Sequence, residues 1–244
     1  MRGFRIAVTF LTRIPLPQPK DVTAGEFTAS QNYYAPVGLL IGILLWAFGI
    51  GVAKIYPWPA VTALILVAEI IVTGGIHLDG YMDSMDGLLS ARTPERMLEI
   101  MKDSRVGAHA SISLAALLLL KYGLLVSLQA KSLVIIILMP LLSRWVFQIG
   151  IIRFPYARRQ GLGQGFHETS QWIVFLLEGV AVLAFAFRLT GLPGVLACLV
   201  TIMFVTLFNR GVSRLLGGLT GDLYGATIEL AEAVFLLAAV PLLR

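Results

Sequence analysis

The chain has 244 residues, 57% of them hydrophobic and only 14% charged, with a formal net charge of +5 and a mean hydropathy of +0.84. Soluble domains are roughly 45–50% apolar and about 25% charged, so a single water-exposed globule is excluded. The composition predicts an all-α polytopic integral membrane protein, because lipid admits only helices or closed barrels and these apolar runs are too long and uniform for barrel strands.

The opening "FRIAVTFLTRIPLP" has arginines, and its apolar run is interrupted at Thr12, Arg13 and Pro15. That is too short for the hydrophobic region of a cleavable signal, and it reads as an interfacial or partly inserted helix. Seven apolar segments follow, at about Tyr34–Tyr56, Trp58–Ile76, Ser111–Leu128, Ser132–Ile152, Trp172–Phe187, Leu192–Phe208 and Ala226–Leu243. Several are near the short end of the roughly 17–25 residues a span needs, which leaves room for one re-entrant or broken span. The only cysteine, Cys198, falls inside an apolar segment and reads as a small buried hydrophobe. Residues 1–244 show no internal repeat and no soluble insertion, and they read as a single membrane-embedded catalytic domain.

Placing the N-terminus in the cytoplasm puts Arg2, Arg5, Arg13, Lys20, Arg92, Arg96, Lys102, Arg105, Arg153, Arg158, Arg159, Arg210 and Arg214 on the cytoplasmic side. Only Lys54, Lys131, Arg188 and Arg244 fall on the other. The positive-inside rule therefore predicts a multi-pass protein of the inner (cytoplasmic) membrane, N-terminus in and C-terminus out. Asp79, Asp83, Asp86, Asp103 and Asp222 lie at the same cytoplasmic face, and the outer connections carry no acid. Carboxylates gathered with arginines at one membrane edge suit a site for metal and phosphate.

Four stretches carry the candidate chemistry. In "HLDGYMDSMDG" the spacing of Asp79, Asp83 and Asp86 projects all three from one helical face. Like charges this close call for a hard cation, Mg²⁺ first, which is usually held by a few carboxylates and substrate phosphate. His77 stands beside them as a candidate phosphate contact. In "RTPERMLEIMKDSRVGAH", Thr93, Pro94 and Glu95 form a helix start, Met97, Leu98, Ile100 and Met101 an apolar stripe, and the helix is expected to end near Gly107. Lys102 and Arg105 are candidate phosphate clamps there, and Asp103 a fourth acidic ligand. "RFPYARRQGLGQGFH" joins Arg153, Arg158 and Arg159 to a glycine-rich loop suited to anions. In "GGLTGDLYGATIELAEA", Asp222 and Glu229 share a helical face, and Thr220 or Asp222 suits a cap. Arg144, about two turns inside its span, is expected to reach an anionic substrate, since ionisable groups within spans are usually functional. Glu69 and Glu178 lie in spans without an evident partner.

The pieces "FLTRIPLP", "APVGLLIG", "GGIHLDGYMDSMDGL", "RMLEIMKDSRVGAHA", "ARRQGLGQGF" and "GGLTGDLYGATIEL", in this order, resemble the cobalamin synthase family, the adenosylcobinamide-GDP ribazoletransferases. The resemblance runs from near the N-terminus into the last apolar segment. It implies a Mg²⁺-using membrane enzyme that joins adenosylcobinamide-GDP to α-ribazole, or to α-ribazole 5′-phosphate, and releases GMP. Asp79, Asp83, Asp86 and Asp103 would then be the catalytic and metal residues. His77, Lys102, Arg105, Arg144, Arg153, Arg158, Asp222 and Glu229 would bind substrate. The lipid bilayer is an expected partner and nucleic acid is not; a homo-oligomer or contacts with other biosynthetic enzymes stay open. Membrane prenyltransferases and CDP-alcohol phosphotransferases also place spaced aspartates around Mg²⁺ at a membrane edge, although the DGxxxxxAR…G…D…D pattern of the second is absent. A cation transporter would need polar residues continuing across several spans.

Overall fold

The computed structural model describes residues 2–17, 19–128, 132–158 and 171–243, apart from the side chain of Ser132. The helices are α1 (Arg2–Leu11), α2 (Ala24–Ala29), α3 (Tyr34–Val52), α4 (Trp58–Thr73), α5 (Ile76–Leu89), α6 (Pro94–Ile100), α7 (Ala108–Leu128), α8 (Ser132–Val146), α9 (Gln148–Arg153), α10 (Trp172–Leu216) and α11 (Gly221–Leu243). Among the described residues there is no β-strand, as expected.

Among the described residues, five helical stretches are long and apolar enough to cross a membrane, and α4 with α5 makes a sixth when the pair is counted as one broken span. At 45 residues, α10 is too long for one crossing. It breaks at Gly191, whose φ of 67° and ψ of −158° are not helical. A Cβ placed on Gly194 would lie 3.5 Å from the carbonyl oxygen of Ala186. Residues eight apart in a continuous helix are separated by about 12 Å, so the chain bends sharply there and α10 is two helical arms. These arms are the two separate segments expected from the sequence around Trp172–Phe187 and Leu192–Phe208.

The second break aims the acidic helix. Gly74 and Gly75 both adopt left-handed backbone, with φ of 66° and 69°, and α5 leaves α4 at 93°. The N–H groups of Gly74 and Gly75 close the end of α4 on the Ile71 and Ile70 carbonyls, the usual way a glycine pair stops a helix. Gly74 has a further constraint, since a Cβ there would sit 2.2 Å from Nε of Arg13. The Trp58–Ile76 segment of the sequence thus ends at a sharp corner. The acids lie beyond it on α5, which runs across the bundle.

The bundle interior is built on close helix contacts. Gly38 and Gly42 of α3 lie on the backbone of α8; a Cβ at either would fall 2.3 Å from the Pro140 carbonyl or 2.5 Å from the Ile137 carbonyl. Small residues four apart are how membrane helices approach without a hydrophobic drive from water. The α6 start is as expected: Thr93 accepts from the Arg96 N–H and Pro94 stands in the first turn. The helix stops at Ile100 rather than near Gly107, because Asp103 and Arg105 bond to each other and α7 starts its own cap at Gly107.

Candidate active site

Two faces divide α5. His77, Gly80, Tyr81, Ser84 and Gly87 are buried, while Asp79, Asp83 and Asp86 lie on the opposite side by the roughly 100° per residue of an α-helix. Gly80 packs on the start of α11, where a Cβ would meet the Asp222 carbonyl at 2.9 Å. Gly225 reciprocates, a Cβ there falling 3.1 Å from the His77 carbonyl. This glycine-on-glycine crossing carries Asp222 to the acidic face. Asp83 lies within electrostatic reach of Asp79, Asp86, Asp222 and Arg158.

Arg158 reaches Asp222 through a backbone clasp. The Ala157 N–H donates to the Leu219 carbonyl at 2.8 Å and the Leu219 N–H to the Pro155 carbonyl at 2.9 Å. That pairing sets the Arg158 guanidinium 2.8 Å from Oδ2 of Asp222. Thr220, one of the two expected caps, takes the capping role: its hydroxyl accepts from the Leu223 N–H at 3.3 Å. Asp222 is left for Arg158 and for the acidic face.

A cavity of about 190 Å³ opens beside these groups, with Asp79, Asp222 and His77 among mainly apolar walls. The face can concentrate cations and anchor charged phosphates next to an apolar recess. Among the described residues, no three His, Cys, Asp or Glu side chains converge tightly enough to form a closed metal cage.

The family model described as cobalamin-5-phosphate synthase matches residues 3–240, a range that contains every residue named on this face. The chain belongs to this family. It is 58% identical to the adenosylcobinamide-GDP ribazoletransferase of Desulfitobacterium hafniense (strain Y51), over 100% of this chain and 98% of that relative. It is 40% identical to the protein of the same name from Roseiflexus sp. (strain RS-1), over 94% of this chain and 86% of the relative. With that of Brevibacillus brevis the identity is 39%, over 98% of both. No solved structure matches.

Within this chain the expected site residues separate into groups. Asp79, Asp83, Asp222 and Arg158 come together as described. Asp86 stands on the same face but is committed to architecture. Its carboxylate accepts from the N–H of Gly107 at 2.6 Å and of Ala110 at 2.8 Å, capping α7 from another helix. A Cβ at Gly107 would strike that carboxylate at 2.5 Å, so glycine is needed for the contact. Asp103 is bound to Arg105, with Nη2 to Oδ2 at 2.6 Å. Hydrogen bonds from Arg105 hold its carboxyl down at about 2. Asp103 and Arg105 thus meet each other at the surface. Lys102 is exposed. Arg153 lines a separate cavity with Trp145, Trp172 and Phe175, to which no carboxylate contributes among the described residues. Arg159 and the glycine-rich loop through His167 lie outside the described residues.

Arg144 and Glu229 need correction. Both are buried in an ion network inside the bundle instead of facing the acidic cluster. Lys121 Nζ lies 3.2 Å from Glu69, 3.2 Å from Glu229 and 2.5 Å from Glu232. Arg144 pairs with Glu232, donates to Ser143 at 2.9 Å and approaches Nδ1 of His77 at 3.3 Å. Spacing along the chain shows no partner for Glu69 and no role for Lys121. The available signal was that ionisable residues within apolar segments, Glu69, Lys121, Arg144, Glu229 and Glu232 among them, need partners, since an unpaired charge there is expensive. Glu178, also left without a partner, accepts from Gln148 at 3.1 Å.

Proposed function

We propose that this protein transfers the cobinamide-phosphate group of adenosylcobinamide-GDP to α-ribazole or α-ribazole 5′-phosphate, giving adenosylcobalamin or its 5′-phosphate and GMP. The observation that carries the reading is the acidic face of Asp79, Asp83 and Asp222, with Arg158 beside it, in a chain aligned almost end to end with relatives of that name. In the transfer a ribose hydroxyl oxygen bonds to the cobinamide-side phosphorus. The bridging P–O bond breaks, GMP leaves with the bridging oxygen, and the hydroxyl proton passes to a carboxylate or to solvent. A diphosphate brought to this face needs its charge neutralised, and a ribose hydroxyl needs a nearby base.

The same residues suit Mg²⁺. That ion keeps several waters and takes one or two protein carboxylates together with substrate phosphates, so a closed cage is not required. One or two of Asp79, Asp83 and Asp222 would hold it, and their mutual repulsion, with Arg158 the arginine beside them among the described residues, leaves net negative charge for a cation. When bound, it would neutralise charge on the phosphoryl oxygens. Arg158 orients Asp222, and Asp86 fixes α7 against α5. We assign the acidic face and the N-terminus to the cytoplasmic side of the inner membrane on the positive-inside bias.

Chromatography of the purified protein with adenosylcobinamide-GDP, α-ribazole and Mg²⁺ tests this. GMP should form one for one with cobalamin and depend on both α-ribazole and the metal. Free diphosphate from an added prenyl donor, with no GMP, would overturn the assignment.

A further inference from the structure

The cavity that Arg153 lines has a volume of about 400 Å³ and lies between the α8–α9 segment and both arms of α10. That volume is within the roughly 300–1,000 Å³ of ligand sites. Trp145, Ile149 and Arg153 follow one another at four-residue steps along one wall, and Ile202 and Thr206 form another at the same spacing. The first arm of α10 closes the space with aromatic and apolar side chains. Trp145 ties these walls together: its indole N–H donates to the Phe175 carbonyl at 2.9 Å, and the two rings stack with centroids 5.1 Å apart.

One charge stands in this apolar lining. Arg153 ends α9 five residues before Arg158, whose guanidinium meets Asp222, so the charged end lies on the side of the bundle that carries the acidic face. Among the described residues no carboxylate pairs with Arg153. The Thr206 hydroxyl is committed to its own helix, donating to the Ile202 carbonyl at 2.8 Å. An arginine without a counter-ion at the rim of a cavity suits an anion, phosphate above all. The remaining walls decide what carries that phosphate. Trp172 and Leu176 are 61% and 51% exposed, and Ile173, Leu177 and Val180 continue the exposed apolar surface along the same arm. The cavity therefore opens onto a face that acyl chains would cover, with Trp172 of the kind that anchors at a membrane–water boundary. A water-borne phosphate has no apolar part to fill the rest of the volume.

We propose that this cavity binds one anionic phospholipid, with its phosphodiester at Arg153 and part of an acyl chain between Trp145, Leu176 and Ile202. A zwitterionic headgroup fits less well, because its ammonium offsets the phosphate beside the arginine. The inference stands apart from the transfer reading. It gives two neighbouring arginines different partners: Arg158 faces Asp222, and Arg153 faces lipid. A lipid held at Arg153 would brace the short stretch that carries Arg158 into its backbone clasp with Leu219.

Native mass spectrometry of the full chain in detergent tests it without turnover. The chain is titrated with dioleoyl phosphatidylglycerol or dioleoyl phosphatidylcholine, and the first lipid retained is read. The parent should hold phosphatidylglycerol about fivefold more tightly, the worth of one basic residue at an anionic headgroup. Arg153→Gln should erase that preference and Arg153→Lys should keep it. Leu176→Trp, at an exposed wall position, should weaken both lipids by filling the apolar part of the cavity. Arg214→Gln removes an exposed arginine that does not line the cavity, and it should leave the preference as in the parent. Equal affinities in the parent, a preference that survives Arg153→Gln, or an equal loss in Arg214→Gln would overturn the proposal. So would displacement of phosphatidylglycerol by excess inorganic phosphate or GMP, which would make this a site for soluble anions. A dimer of the chain that Leu176→Trp dissociates, with no lipid retained, would overturn it in favour of a second copy. Absence of GMP from the parent enzyme would count against the transfer reading alone, because these binding measurements do not depend on it.

Discussion

The buried ion network makes a quantitative test of how this bundle is held together. Three carboxylates, Glu69, Glu229 and Glu232, face two cations, Lys121 and Arg144. Glu232 is the hub: it touches both cations and accepts from Ser143 at 3.0 Å. Glu69 is peripheral, with one bond to Lys121 and a 4.0 Å approach to Arg144. Neutralising Glu232 strips both cations of their shared partner, and removing one member of a buried pair costs about 3–5 kcal/mol. For a chain of about this length each kcal/mol moves Tm by roughly 2–4 °C, so Glu232→Gln should lower Tm by about 6–20 °C. Lys121→Met should do the same, because three carboxylates would then share one cation. Glu69→Gln should behave differently. It balances two cations against two carboxylates and keeps an amide oxygen for Lys121, so its stability should stay within about 1 kcal/mol of the parent. Thermal unfolding in detergent, followed by near-ultraviolet circular dichroism and by the monodisperse fraction on gel filtration, reads all three. Equal damage from Glu69→Gln and Glu232→Gln would refute the hub assignment. A Lys121→Met protein as stable as the parent would refute the network as a stabilising element.

Three further outcomes follow from the acidic face. Asp79→Asn and Asp83→Asn should each keep the fold and lose about 10²-fold or more in GMP release, the scale of a primary electrostatic group; near-parental turnover in both would leave the acids without a catalytic role. Asp86→Ala should cost about 0.5–2 kcal/mol through loss of the α7 cap, with Asp86→Asn milder because it retains an acceptor. Unchanged melting of the alanine variant would remove Asp86 from the cap. Gly74→Ala meets both a left-handed φ of 66° and the Arg13 side chain, so it should destabilise the α4–α5 corner and reduce activity, whereas Gly51→Ala, with open space around its Cβ, should do neither. Comparable melting and GMP release in the two glycine variants would count against the corner.

The sequence by itself determined the class of the molecule, because apolar runs of spanning length leave few alternatives in lipid. It also determined the clustering of Asp79, Asp83 and Asp86, since helical periodicity fixes which residues of one helix share a face. It could mark where a chain can bend, as the glycine pair Gly74–Gly75 does, but not the 93° angle that lays α5 across the bundle. Nor could it distinguish among carboxylates with the same chemistry. Asp86 became a cap because α7 starts beneath it, Asp103 turned to Arg105, and Asp222 joined Asp79 and Asp83 because Gly80 and Gly225 let two backbones touch. Arg144 and Glu229 looked like substrate contacts from position alone; their partners lie on helices distant in sequence, Lys121 and Glu69 among them. Such pairings are decided by which helix faces meet, and that is a property of packing in three dimensions rather than of spacing along the chain.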